Sequence, residues 1–234
     1  MGAIADRFAE VRERAVSVYR RVWGGTGVPR LVCVTKMQSL HNIVEAVDAG
    51  ATELGENYLQ EAVRKGVFAL RQERGLTIRY IGRLQSNKYN AILRDFDTVD
   101  SADPKLLERL HASSDRQSYQ AHTFLLEVNA GEEIQKGGLT VAEIRELAAA
   151  RSPWLQEVAG LMAVVPLEAS LEERARIYES VHLLFLDLAH ESGLTRVTTL
   201  SMGTSDDFEV AIEHGANMIR VGTAIFGPRP VSSS

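Results

Sequence analysis

Lys36 is the residue whose position in the sequence most strongly suggests covalent chemistry. It directly follows the predicted strand over residues 31–35 and does not belong to a charged helix face. A lysine amine that is partly removed from water has a lowered pKa, and the neutral amine attacks a carbonyl carbon to form a Schiff base. The alternative is a structural lysine that pairs with a carboxylate such as Glu56. The position of Lys36 leaves both interpretations open.

Two segments near the end of the chain have the composition of a phosphate site. Ser201 and Ser205 supply hydroxyl groups on either side of Gly203, and Gly222-Thr223 begins a short final turn. Glycine lets the backbone approach an anion, and free N–H groups at the start of such a turn can face it. Tight turns that need glycine for backbone reasons would show the same composition.

Arg220 is a charged residue within the apolar run Met218-Ile219-Arg220-Val221-Gly222. A charge in a buried strand needs a partner, because leaving it unpaired costs several kcal/mol. The side chain points either outward to a helix carboxylate or inward to an acceptor on a ligand. The sequence pattern does not decide between the two directions.

Short apolar runs that alternate with helical patterns are the elements expected to position these residues. Steps of three and four residues at Phe8, Val11, Ala15, Val18 and Val22 predict an N-terminal helix. Eight runs then predict buried strands, over residues 31–35, 53–55, 78–82, 98–100, 123–129, 158–162, 197–201 and 218–222.

Strands that alternate with helices predict a parallel sheet with right-handed crossovers. Eight of them in 234 residues predict a (β/α)8 barrel of the TIM type, with a doubly wound open sheet as the alternative. No linker or shift in composition divides the chain, so one domain over residues 1–234 is expected. In a barrel the carboxyl ends of the strands meet at one face, where ligands bind. Lys36 and the polar residues after the other strands therefore become one candidate site.

Composition excludes several other classes of function. A net charge of −5 and a pI near 5.7 argue against a broad nucleic-acid surface. The one cysteine, Cys33, lies in an apolar run and is interpreted as a core residue. The six histidines lack metal-ligand spacing, so no metal site is expected. No stretch is long and apolar enough for a bilayer, and no secretory signal is present, which favours the cytoplasm. Asp206-Asp207 is expected to cap the helix that follows.

Six segments together resemble the YggS/PROSC family of pyridoxal phosphate homeostasis proteins. The likeness covers essentially the whole chain after the first helix, with the motifs in order. The segments are Val34-Thr35-Lys36, Leu54-Gly55-Glu56-Asn57-Tyr58, Ile81-Gly82-Arg83-Leu84-Gln85-Ser86-Asn87-Lys88, Gly160-Leu161-Met162, Leu200-Ser201-Met202-Gly203-Thr204-Ser205-Asp206-Asp207 and Ile219-Arg220-Val221-Gly222-Thr223-Ala224-Ile225-Phe226-Gly227. Arg83 departs from the histidine or proline that is frequent in relatives.

The resemblance implies a fold type III barrel like the N-terminal half of bacterial alanine racemases, and pyridoxal 5′-phosphate as cofactor. Lys36 would form the aldimine with the cofactor, and Arg220 would face the pyridine nitrogen. The remaining cofactor contacts implied by the resemblance are Ser201, Gly222 and Thr223 at the phosphate, Asn57 near the ring and Met202 beside the pocket. Lys136 matches a lysine of the family without a clear role.

The resemblance also implies a carrier or buffer of the cofactor, with no catalytic residues. An arginine at the pyridine nitrogen disfavours a protonated ring and weakens the electron sink on which pyridoxal chemistry depends. The chain stops soon after the eighth strand, so no C-terminal β-domain is expected to supply a second base, and a monomer is expected. Apo-enzymes that use pyridoxal phosphate are candidate recipients. An amino-acid racemase and a cofactor-free phosphate-binding isomerase are the alternatives.

Overall fold

A computed structural model describes residues 2–114, 118–131, 137–166, 168–191 and 194–228. Eight parallel strands close into a barrel in which each strand pairs with its neighbours in chain order and β1 also pairs with β8. The strands are β1 Arg30–Val34, β2 Glu53–Glu56, β3 Thr77–Tyr80, β4 Thr98–Ala102, β5 Thr123–Val128, β6 Val158–Ala163, β7 Thr199–Ser201 and β8 Met218–Val221. Every predicted run contains one of these strands in whole or in part. The predicted barrel is confirmed, and the open doubly wound sheet is wrong.

Helices cover the outside of the barrel between the strands. In the described residues they are α1 Ala3–Trp23, α2 Leu40–Asp48, α3 Leu59–Lys65, α4 Val67–Arg74, α5 Tyr89–Asp95, α6 Pro104–Ala112, α7 Val141–Ala149, α8 Leu171–Leu186, α9 Phe208–Glu213 and α10 Thr223–Phe226. No helix among these combines the length and the apolarity needed to cross a membrane.

The predicted N-terminal helix is present as α1 and packs against α9 and α10. Its buried residues follow the predicted steps from Phe8 to Val18, while Val22 is 40% exposed and was wrongly placed on the apolar face. The Arg7 Nε atom donates to the Ile225 carbonyl at 2.6 Å, and the Trp23 indole donates to the Ile212 carbonyl at 2.8 Å. These contacts attach α1 to the helices on either side of β8.

The strand register brings the ends of β1, β2 and β8 to the same height. Val34 pairs with Gly55 across β1 and β2, and Cys33 pairs with Val221 across β1 and β8. Lys36 and Asn57 each follow two residues after the first of these pairs. Gly222 follows one residue after the second.

Part of the barrel interior is ionic instead of aliphatic. Arg79 on β3 is 1% exposed, and its Nη1 atom lies 2.8 Å from Asp100 Oδ1 while its Nε atom lies 2.5 Å from Glu53 Oε2. Thr98 Oγ1 donates to Asp100 at 2.8 Å. This buried network was not predicted, because a period-two pattern does not show that an arginine points into the barrel. Cys33, by contrast, is fully buried as expected, and burial raises the pKa of its thiol to about 12.

Candidate functional site at the carboxyl ends of the strands

A cavity of about 400 Å³ lies at the carboxyl ends of the strands. Pockets that hold small molecules and cofactors usually measure roughly 300–1,000 Å³. Five of the seven predicted cofactor-binding residues line this cavity: Lys36, Asn57, Arg220, Gly222 and Thr223. Barrel closure therefore joins residues that are up to 187 positions apart in the sequence, as the difference between 223 and 36 shows.

Ser201 and Met202 are fully buried and are not among the described residues that line the cavity. The Ser201 hydroxyl accepts a hydrogen bond from Arg220 Nη1 at 2.7 Å. Met202 belongs to the main hydrophobic core. Direct contact of either residue with a cofactor stays a prediction. Lys136 lies outside the described residues.

Arg220 points inward, and the predicted alternative of an outward pair with a helix carboxylate is wrong. Its side chain is 5% exposed and borders the cavity. Nη1 donates to the Ser201 carbonyl at 2.9 Å, and Nη2 donates to the Ala163 carbonyl at 2.9 Å. Burial lowers the pKa of Arg220, while Tyr178 and Asp100 act in the opposite direction. A fixed guanidinium fork is thus held in the cavity wall by acceptors at the ends of β6 and β7.

Lys36 lies half-buried in the turn directly after β1. The carboxylate that the sequence offered as its structural partner, Glu56, makes an ion pair with Lys65 at 2.6 Å. Glu56 also accepts a hydrogen bond from Thr35 Oγ1 at 2.7 Å. Glu56 is therefore engaged by α3 and by the end of β1.

Asn57 presents a buried amide oxygen at the cavity. Its Oδ1 atom has no hydrogen-bond partner among the described residues, although polar atoms in such places are normally paired. A hydrogen-bond donor on a bound molecule would satisfy this oxygen. Its backbone is fixed from behind, because Gly82 packs directly on the Asn57 carbonyl group.

We expect Gly82→Ala to destabilise the protein and to displace Asn57. A Cβ atom at Gly82 would lie 2.6 Å from the Asn57 carbonyl carbon, and backbone cannot move aside as a flexible side chain can. Overpacking of this kind costs about 1–3 kcal/mol or more. Urea denaturation measures the loss of stability, and calorimetry with the cofactor that the sequence resemblance implies measures the accompanying loss of affinity.

Gly75→Ala is the control for this prediction. A Cβ atom at Gly75 meets no atom within 4 Å, although the residue has a positive φ of 67°. The substitution should therefore lower stability by about 1 kcal/mol and leave affinity unchanged. Equal affinities for both variants would contradict the role given to Gly82.

The loop after β7 closes the other side of the cavity. Thr204, Ser205 and Asp206 line it. Ser205 Oγ accepts hydrogen bonds from the backbone N–H groups of Gly222 at 3.2 Å and of Ala224 at 3.1 Å. The serine hydroxyl thus joins this loop to the final turn, where the sequence predicts a phosphate site.

Asp207 holds that loop in place, and the prediction that Asp206-Asp207 caps the next helix needs correction. Asp207 stands at the N-cap position of α9 without a side-chain capping bond. Its Oδ1 atom instead accepts from the Thr204 N–H at 2.7 Å. Its Oδ2 atom accepts from Arg174 at 2.7 Å and from Tyr178 at 2.8 Å, both on α8. The aspartate therefore fastens the loop to α8, because tertiary donors reach it where a local cap was expected.

Comparison with protein families identifies the fold on which this site is built. The chain matches the family described as alanine racemase, N-terminal domain, over residues 9–230. Alanine racemase from Corynebacterium glutamicum shares the fold with a TM-score of 0.67 at 17% identity, over 99% of this chain and 62% of that chain.

Closer similarity is found with smaller proteins. The pyridoxal phosphate homeostasis protein of Escherichia coli K12 is 34% identical over 236 residues, which covers 99% of each chain. The protein of that name in Pseudomonas aeruginosa is 35% identical over 98% of this chain and 97% of its own length. PipY of Synechococcus elongatus, solved with PLP bound, superposes with a TM-score of 0.79 at 29% identity, over 96% of this chain and all of PipY. The family model and the curated relatives both match nearly the whole length of the chain, which therefore belongs to the family of pyridoxal phosphate homeostasis proteins.

Proposed function

We propose that this protein binds pyridoxal 5′-phosphate in the cavity at the carboxyl ends of the strands and serves as a carrier or buffer of that cofactor. The observation that carries the proposal is the placement of Lys36, Asn57, Arg220 and the Gly222-Thr223 turn around one cavity of about 400 Å³. The relatives named as homeostasis proteins and the PLP-bound structure of PipY support it.

The groups in the cavity fit the chemical parts of this cofactor. Lys36 brings an amine that can bond to an aldehyde. The Asn57 oxygen, which has no partner among the residues that the structure describes, can accept a hydrogen bond from a hydroxyl group on the ring. Hydroxyl groups of Ser205 and Thr223, which both line the cavity, offer donors to a phosphate group.

Pyridoxal phosphate, when bound, supplies an electron sink for reactions at the α-carbon of amino acids. Arg220 acts against that chemistry. Its guanidinium group is a permanent donor held by Ser201 and Ala163, so it disfavours a proton on a ring nitrogen placed beside it. The protein thus binds and orients the cofactor, while the fixed charge of Arg220 limits activation of the cofactor as an electron sink.

The cavity wall also supports a carrier over a racemase. Among the described residues that line it, the titratable side chains are Lys36, Asp206 and Arg220. Tyrosine, histidine and cysteine are absent from that set. Racemisation requires a second base held on the opposite face from the lysine. Arg220 cannot serve as a base because it keeps its proton, and Asp206 is exposed to solvent in the loop after β7.

Absorbance spectroscopy of the purified protein tests the proposal. Added pyridoxal phosphate is expected to produce a visible band of lysine-bound cofactor, and borohydride reduction followed by peptide mapping should place the modification on Lys36. A panel of L-amino acids should then turn over no faster than with free cofactor. Turnover well above that level would contradict the carrier function, and a protein that stays colourless would contradict cofactor binding.

A monomeric barrel domain over residues 1–234, a cytoplasmic location and delivery to apo-enzymes complete the proposal. Sedimentation tests the first of these. Transfer is tested by mixing the loaded protein with an apo-enzyme of pyridoxal phosphate and following the recovery of that enzyme's activity, which should exceed the recovery with free cofactor at the same concentration.

A further inference from the structure

Three charged side chains form a buried cluster beside the Lys36 turn. Lys65, the last residue of α3, places Nζ 2.6 Å from Glu56 Oε1 and 3.0 Å from Glu61 Oε1. The Lys65 side chain is 8% exposed, and that of Glu56 is fully buried. A buried lysine is uncommon unless it is paired, and this one is paired twice. We call Glu56, Glu61 and Lys65 the α3 charge cluster.

The α3 charge cluster contacts the backbone on both sides of Lys36. Lys65 Nζ donates to the Thr35 carbonyl oxygen at 2.8 Å. Glu61 Oε1 accepts from the Met37 N–H at 2.5 Å. The residues immediately before and after Lys36 are thus both anchored to side chains of the same cluster.

The conformation of Met37 shows why the turn needs such anchors. Its φ is 62°, in the left-handed region that residues other than glycine rarely adopt. Such a conformation persists only where the surrounding structure imposes it. The hydrogen bond from the Met37 N–H to Glu61 is one contact that imposes it, and Lys65 holds Glu61 in position for that bond.

The cluster also includes the residue before Asn57, since Glu56 immediately precedes that cavity-lining residue at the end of β2. Glu56 accepts from Thr35 Oγ1, so it ties the end of β2 to the end of β1. Burial raises the pKa of Glu56, while Lys65 acts against this shift. The Lys65 ammonium group, 2.6 Å from Glu56 Oε1, therefore offsets part of the cost of burying this carboxyl group.

We propose that Lys65 is a positioning residue that sets the direction of the Lys36 amine toward the cavity. It acts through the backbone of Thr35 and, by way of Glu61, through that of Met37. The inference rests on the proposed function, since it concerns how Lys36 meets an aldehyde. It does not require Lys65 to touch the cofactor.

Two ligands separate a positioning role from a general structural one. Pyridoxal 5′-phosphate carries the aldehyde that bonds to Lys36, whereas pyridoxamine 5′-phosphate has the same ring and phosphate without an aldehyde. Stopped-flow absorbance gives the rate constant for attachment of the first, and calorimetry gives the Kd of the second. The variant is Lys65→Met, which keeps the length of the side chain and removes its charge. Lys105→Met, at an exposed lysine of α6, is the matched control.

Lys65→Met is expected to slow attachment at least about tenfold, because a misplacement of about 1 Å can cost about 10²-fold in a reaction that depends on orientation. The Kd of pyridoxamine phosphate should stay within about twofold of the wild-type value. Lys65→Arg, which keeps the charge opposite Glu56, should recover part of the attachment rate. Lys105→Met should match the wild type in both measurements.

If Lys65→Met slows attachment and weakens pyridoxamine phosphate binding by the same factor, Lys65 has a structural role only. An unchanged attachment rate would also overturn the inference. If Lys65→Met does not fold, Glu61→Ala decides by the same two measurements, since it removes the Met37 anchor and leaves the Lys65–Glu56 pair. A wild-type protein that forms no linkage at all refutes the proposed function, whereas normal linkage in the variants refutes only the positioning role.

Discussion

Replacement of Lys36 by alanine is expected to abolish covalent attachment of pyridoxal phosphate. Lys36 lies in the turn after β1 and lines the cavity with Asn57 and Arg220. Alanine removes the nucleophile, so the visible band and the borohydride-stable modification should both disappear. Non-covalent binding should persist in part, because the groups around the Gly222-Thr223 turn are untouched. Absorbance and mass spectrometry measure the first effect, and calorimetry measures the second.

The barrel itself should remain folded in Lys36→Ala. Lys36 lies outside the strands and does not belong to the hydrophobic core. Substitutions outside the core usually change the free energy of unfolding by no more than about 0.5 kcal/mol in either direction, so thermal unfolding should be close to that of the wild type. Lys88→Ala, at the end of the loop after β3, is the matched control and should keep the band. Retention of the band in Lys36→Ala would show that another lysine, such as Lys88 or Lys136, is the point of attachment.

The barrel could be predicted from the sequence because its evidence is local and repeats along the chain. Each buried strand corresponds to a short apolar run in the sequence, and each helix corresponds to apolar residues that recur at three- and four-residue steps. The ends of those runs were off by a few residues, as at β7, which begins at Thr199 where the pattern began at Val197. Val197 is buried in the core without pairing in the sheet, so hydrophobicity alone overestimates strand length.

The composition of the cavity could be predicted only in part, because it depends on where each side chain points. The expectation that polar residues after parallel strands meet at one face of the barrel correctly placed Lys36, Asn57, Gly222 and Thr223 at the cavity. The direction of Arg220, in contrast, depends on acceptors at Ser201 and Ala163. These acceptors are 19 and 57 positions away in the chain, so no local pattern reveals them.

The residues that support the site were missed for the same reason. Lys65 lies at the carboxyl end of α3, where a lysine is normally explained by the helix dipole. Its contacts with Thr35 and Glu56 arise only when folding brings the end of α3 to the ends of β1 and β2. Asp207 likewise suggested a helix cap, yet donors from α8 reach it first. A buried ionic contact between distant segments produces no periodic pattern in the sequence. The one sign of it in the sequence is a charged residue at a position that is expected to be buried.

Arg220→Glu is expected to destabilise the barrel more strongly than Gly82→Ala does. The substituted carboxylate would face the Ser201 and Ala163 carbonyl oxygens, which now accept hydrogen bonds from the guanidinium group. Asp100 and Glu127, which now attract the arginine, would repel the glutamate. Breaking a buried charged contact of this kind costs about 3–5 kcal/mol. Urea denaturation measures the difference, and Arg12→Glu, an equal change of charge on the exposed face of α1, should cost less than about 1 kcal/mol.

Arg220→Lys separates the charge of the arginine from its shape. Lysine keeps the positive charge, but a single ammonium group cannot reach both Ser201 and Ala163 as the planar fork does. A loss of about 1–3 kcal/mol is therefore expected, as for an acceptor left unpaired in the interior. With pyridoxal phosphate bound, the absorbance should also become dependent on pH near neutrality, because a flexible ammonium group no longer holds a fixed donor against the ring nitrogen. Unchanged stability in Arg220→Glu would show that Arg220 does not tie β8 to its neighbours. A spectrum in Arg220→Lys that responds to pH as that of the wild type does would show that Arg220 does not control the ring. Loss of barrel stability and loss of control over the protonation of the ring nitrogen are thus expected together, since one guanidinium group provides both.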